Sequence, residues 1–191
     1  MIRYLQPCVL LSAKTKHISP LLTKRSFYMW LNFVFNRVDY SRIEEFGPDR
    51  VAAEWILRCG GGVKFHSHDS WMRNYNALAP GPGHKYKLQG IDAQDTCVTT
   101  GGLLHLEGLH HLEYLSLHNC KYITDLNHLQ HVKNSLRELD IGNCHGISDI
   151  QPLEQMTKLQ KLNLSGASRI KDKDKSISDL QKKLPECEVK M

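Results

Sequence analysis

Three copies of one short pattern dictate what this chain can fold into: LEYLSLHNCKYITD from Leu112, LRELDIGNCHGISD from Leu136 and LQKLNLSGASRIKD from Leu159. Their first leucines stand 24 and 23 residues apart (136−112 and 159−136). Apolar residues at relative positions 1, 4 and 6 of each copy predict a short strand. Its inward side chains must stack on those of the next copy, because one copy alone cannot bury them. After the strand, Cys120, Cys144 and Ala167 share one position, and Ile123, Ile147 and Ile170 share another three residues on. Small or thiol side chains suit the narrow wall where a coil turns away from its strand. Asp125, Asp149 and Asp172 come next, where a short polar side chain hydrogen-bonds turning backbone and opens the descending segment.

A period of 23 to 24 residues is that of a leucine-rich repeat. Counting back 24 from Leu112 reaches Leu88, with Ile91, Ala93, Thr96 and Val98 in roughly equivalent slots, so a degenerate fourth copy is expected, suited to capping or docking. The fold class that follows is α/β: a short leucine-rich-repeat solenoid of about four repeats with parallel strands over 87–191. A small helical N-terminal domain and linker are expected to precede it over 27–86.

Within that N-terminal part, Phe27, Trp30, Leu31, Val34 and Phe35 have helical spacing and predict an apolar stripe, with Asn32 and Asn36 on the other side. Such a stripe is ordinarily core; five large apolar residues in nine positions also suit docking on a membrane subunit. A second helix is expected from Gly47 and Pro48, with Asp49 in its first turn, Ala52, Trp55, Ile56 and Cys59 on one face, and Gly60 to Gly62 ending it. Val63 to His66 reads as a short strand, and the stretch from Asn76 to Gly83 as a loop.

The net charge of +5 points to nucleic acid until it is located. Arg3, Lys14, Lys16, Lys24 and Arg25 lie within residues 1–26, which hold no acid. Removing those five leaves 20 basic against 20 acidic residues, from totals of 25 and 20, so the remainder is neutral and nucleic-acid binding loses its support. Basic, acid-free and dotted with Ser and Thr, 1–26 has the composition of a mitochondrial transit peptide, with Arg25 two residues before a cut between Ser26 and Phe27. A basic tail or a weak secretory signal fits less well. Six cysteines with no CxxC pair argue for a reducing compartment rather than a disulfide framework.

No Walker loop, GxSxG elbow, HExxH or GxGxxG is present, so no enzyme activity and no small-molecule substrate are expected. His66 and His68 face one side of an extended chain and would meet a metal only with Asp69 or Cys59; solvated loop histidines suit the spacing better. His110, His111, His118, His128, His131 and His145 fall mostly on repeat exteriors. The concave strand face instead offers Glu113, Tyr114, Ser116, Arg137, Glu138, Asp140, Gln160, Lys161 and Asn163 as a partner-binding surface.

The stretches SFYMWLNFVFNRVDYSRI, GPDRVAAEWILRCGG and KYKLQGIDAQDTC, followed by the repeats, resemble the family of subunit s of mitochondrial ATP synthase, also called coupling factor B. The resemblance covers the chain from about Phe27 to its end. It extends, less closely, to a protein that helps assemble the distal membrane arm of complex I. It implies a non-catalytic, matrix-facing peripheral protein of the inner membrane that docks on the synthase membrane sector, or on the complex I arm, and blocks a proton leak. It also implies Mg2+ near the junction of the two parts, at positions matching Gly60 and Gln94. The family has Thr where this chain has Gln94, so two carbonyl oxygens completed by water are the expected ligands. The family's Cys-x-Cys is here His118, Asn119 and Cys120, which removes a dithiol switch and leaves Cys120 as a core thiol. The cysteine-containing repeats also resemble those of F-box adaptors, but no F-box-like segment stands upstream.

Overall fold

The computed structural model of the chain describes residues 21–78 and 86–191. The expected leader lies outside them apart from its last six residues, and so does the proline and glycine end of the expected loop at 79–83. Three helices come first: α1 (Leu21–Asn36), α2 (Tyr40–Phe46) and α3 (Pro48–Arg58). Six strands follow in chain order as neighbours of one sheet: β1 (Gly62–Phe65), β2 (Leu88–Asp92), β3 (Tyr114–Ser116), β4 (Glu138–Asp140), β5 (Lys161–Asn163) and β6 (Glu188–Lys190). β1 runs antiparallel to β2, and every later pair is parallel. Short 3-10 turns at Gly101–Leu106, Asn127–Val132 and Gln151–Gln155 carry each coil back. The last return is α4 (Lys173–Lys183). The expected repeat solenoid with parallel strands and preceding helices is therefore the fold.

Each coil obeys the arithmetic of its sequence. Leu112, Leu115 and Leu117, then Leu136, Leu139 and Ile141, then Leu159, Leu162 and Leu164 are all buried, as are Ile123, Ile147 and Ile170. The thiols do more than fill space: Cys120 Sγ donates to the Ala93 carbonyl at 3.0 Å and Cys144 Sγ to the Leu117 carbonyl at 3.0 Å. Each cysteine thus ties its turn to the strand of the coil before. In the degenerate first copy Thr96 takes that column, its hydroxyl donating to the Ala93 carbonyl at 2.7 Å.

A second column supports the turns. Asp95, Asn119, Asn143 and Gly166 all have positive φ, between 56° and 73°, in the left-handed region that Asn, Asp and Gly tolerate best. Their spacing of 24, 24 and 23 is the repeat period itself.

The helical part shares the core. α3 begins at Pro48 after Gly47 (φ 81°) and buries Val51 to Leu57, ending before Gly60 (φ 90°). β1 joins the sheet, and one apolar cluster runs without a break from Ala52 to Cys187. Asp39 caps a separate α2 by accepting from the Arg42 amide at 3.2 Å, a break the sequence reading passed over.

α1 corrects the expected stripe. Trp30 is 58% exposed and Val34 41%, whereas Asn36 is buried. The reason is hydrogen bonding. Asn36 donates to the carbonyls of Asn32 (2.8 Å) and Cys97 (3.0 Å) and accepts from Trp55 Nε1 (3.2 Å) and the Thr99 amide (3.0 Å). A fully satisfied amide belongs inside, and it turns Leu31 and Phe35 inward with it while Met29, Trp30, Phe33 and Val34 face out.

Candidate interaction site

The sheet's open face is built in rows by the strand register. One row runs Gly90, Tyr114, Glu138, Lys161, Glu188, and a parallel one runs Asp92, Ser116, Asp140, Asn163, Lys190. In the first, Lys161 Nζ meets Glu138 Oε1 at 2.8 Å, and that contact raises the lysine's pKa. Trp71 stands edge-on to Tyr114, ring centroids 5.6 Å apart. It can do so because the neighbouring rung is glycine: a Cβ on Gly90 would come within 2.9 Å of the indole. Partial burial raises the Tyr114 pKa, so the phenol presents a neutral hydroxyl.

The second row is less available than the sequence suggests. Asp140 Oδ1 accepts from the Gly142 amide at 2.8 Å and Asn163 Oδ1 from the Ser165 amide at 3.0 Å, as Asp92 does from Gln94 at 3.2 Å. These side chains close the turn after each strand. Ser116, expected on the exposed face, is buried; the smallest member of the row sits under its neighbours. Asp140 also meets His118 Nδ1 at 3.2 Å.

Glu113, Arg137 and Gln160 precede their strands and form a third row, linked through backbone: Arg137 N donates to Glu113 O at 2.8 Å and Gln160 N to Arg137 O at 2.7 Å. Arg137 Nε lies 3.7 Å from Glu113 Oε1. This edge borders a groove of about 550 Å³ with His66, His110, His111 and Lys158 in its wall. Of the nine sequence-predicted residues, the structure brings Tyr114, Glu138 and Lys161 together at the centre and Glu113, Arg137 and Gln160 along one margin. Sequence reasoning missed Trp71, Glu188 and Lys190. The alternation of Cys187 and Val189 with Glu186, Glu188 and Lys190 is the signal that marks β6 as a further rung.

Gly60 and Gln94 both lie in turns two residues outside the terminal Gly62–Asp92 pair of the β1–β2 ladder. Among the described residues neither carbonyl accepts a hydrogen bond. Two such oxygens suit a hard cation that retains water. No group of three His, Cys, Asp or Glu side chains able to hold a metal occurs among the described residues. His66 and His68 are exposed, with His68 bonded to Ser67 and His66 edge-on to His111.

Burial pushes the Cys120 thiol up to about 12 and Cys144 to about 11. Neither supplies a thiolate near neutral pH, so these cysteines are structural. No described helix is long and apolar enough to cross a membrane.

Against known proteins, the family described as "Leucine Rich repeats (2 copies)" matches residues 134–182. The chain is 41% identical to mitochondrial ATP synthase subunit s of Homo sapiens and of Bos taurus, and 42% to that of Rattus norvegicus. Each likeness extends over 174 residues, 87% of this chain and 87% of the relative.

Proposed function

We propose that this chain, which belongs to the family of mitochondrial ATP synthase subunit s, acts as a non-catalytic peripheral docking subunit of that synthase. It resides on the matrix side of the inner membrane, and its effect is on proton conduction through the membrane sector, where it blocks a leak. The observation that carries the reading is the open row of Tyr114, Glu138, Lys161 and Glu188. It mixes one aromatic anchor with charges of both signs on a rigid sheet, the makeup of a protein-binding surface rather than of a catalytic cleft. The outward face of α1 turns toward the bilayer that holds the partner.

The test is affinity purification of the tagged protein from mitochondria in mild detergent, with R137E/K161E beside the parent. Both residues are exposed and their ion pairs lie at the surface, so the melting temperature should hold while recovery of the synthase membrane sector drops. Unchanged recovery, or loss of fold, sinks the assignment. Recovery of complex I membrane-arm subunits instead would move the function to assembly.

Magnesium belongs to the same reading, as a structural clip between the two loops. The carbonyls of Gly60 and Gln94 would hold it, and its charge would offset their mutual repulsion. Chelation is expected to lower the melting temperature by a few degrees, restored by added Mg2+; an unmoved transition counts against a bound ion.

A further inference from the structure

Two concavities meet at the C-terminal end of α1. One, of about 410 Å³, is walled by Arg37, Arg42 and Arg58, with Asp39 and His105. The other, of about 530 Å³, is largely apolar and borders Met29, Phe33, Val38, Tyr40, Leu104 and Tyr122. They share Arg37, Val38 and Tyr40, so a polar chamber opens directly onto an apolar trough.

The charge of the chamber is one-sided. Its lone acid, Asp39, is taken up by the Ser41 hydroxyl at 2.6 Å and the Arg42 amide at 3.2 Å. Behind it Glu54 is shared by Arg42 (2.7 Å) and Arg50 (3.1 Å), two cations against one carboxylate. Arg58 spends its Nε on the Glu54 carbonyl at 3.2 Å. Arg37 is exposed, and its guanidinium makes no hydrogen bond among the described residues. Planar guanidinium forks suit phosphate oxygens.

At about 100° per residue, Met29, Phe33, Trp30 and Val34 cover an arc of roughly 140° on α1, and Arg37 follows directly after the helix end at Asn36. Met29, Trp30 and Phe33 are each more than half exposed. A free phosphate would use the arginines and leave the apolar trough and arc unexplained.

We propose that the two concavities together bind an anionic phospholipid, its phosphate held by Arg37, Arg42 and Arg58 and an acyl chain laid along Met29 and Phe33. The inference deepens the peripheral-membrane part of the function proposed above and rests on it. Arg37 is the member to reverse, since the other two also brace Glu54.

The experiment is equilibrium binding of the full chain to phosphatidylcholine vesicles with and without phosphatidylglycerol. The readout is quenching of tryptophan emission by brominated acyl chains, assigned to Trp30 by loss of the signal in W30F. Binding is expected only with the anionic lipid. R37E should weaken it about tenfold, and R37E/R58E further. R137E/K158E, which removes the same charge on the far edge of the sheet, should change it little. Should R37E/R58E fail to fold, R37E alone decides. Equal losses in both double variants would mean unspecific attraction of a basic surface and overturn the proposal. Displacement from the vesicles by inorganic phosphate would make the chamber a free-anion site and also overturn it. Vesicle binding uses no partner subunit, so its failure is distinct from a failure to capture the synthase.

Discussion

Single side chains decide how the two ends of this molecule are joined. Asn36 makes three hydrogen bonds that hold α1 to α3 and to the first coil, and a fourth back to Asn32 within α1. His105 makes the opposite kind of contact. Its ring stacks on Trp55 at 4.8 Å and 17°, and neither ring nitrogen has a partner among the described residues. Burial lowers its pKa to about 4 from 6.5. The unfolded imidazole therefore takes up a proton as pH falls through 6.5, while the folded ring resists until about 4. Stability is whole above 6.5 and drains away between those values, by about 3 kcal/mol in total. H105F keeps the stack and removes the titration. Urea midpoints of the variant should fall less between pH 7 and pH 4.5 than those of the parent; parallel curves would show that His105 is not the group responsible.

Within the elements, much was legible because the repeat imposes it. The positions 1, 4 and 6 rule located β3, β4 and β5, and counting back from Leu112 located β2. The left-handed column was equally visible in spacing but overlooked, since Asp, Asn and Gly there share no hydropathy and only backbone conformation unites them. At Gly166 the column has its one glycine, and a Cβ there would run into Oδ1 of Asn143. Gly166→Ala should cost about 1–3 kcal/mol in urea unfolding, from positive φ and crowding together. A variant as stable as the parent would remove this column from the set of turn determinants. α1 was legible as a helix and misread in orientation. Hydrophobicity alone pointed Trp30 and Val34 inward, whereas Asn36 inward makes three bonds to α3 and the first coil, a tertiary fact that no local pattern carries. The candidate face was half legible: register delivered Tyr114, Glu138 and Lys161, but the turns that occupy Asp140 and Asn163 and the burial of Ser116 depend on residues two places on and on neighbouring coils.

At the scale of the whole molecule, helices and repeats are fastened at several independent points. β1 lies in the sheet, the Leu88 amide donates to Asp49 Oδ1 at 2.7 Å, and His66 N donates to Lys87 O at 2.9 Å. The apolar cluster from Ala52 to Cys187 has no seam. Under the proposed function, a partner on the open sheet and a bilayer contact at α1 would be presented by one body, and neither contact would need to reorder the other. Such continuity also fixes how the chain unfolds. Trp55 is wholly buried in α3, so its emission reports the helical end. Cys144, buried in the third coil and with its pKa pushed up to about 11, is alkylated only when the repeats open, so its labelling reports the repeat end. Followed against urea, the two probes are expected to give one midpoint, the mark of a single cooperative unit. If Cys144 labels at lower urea than Trp55 shifts, the repeats open alone, as nearest-neighbour solenoids can. The joints at Asn36, Asp49 and β1 would then hold the two parts in place without coupling their stability.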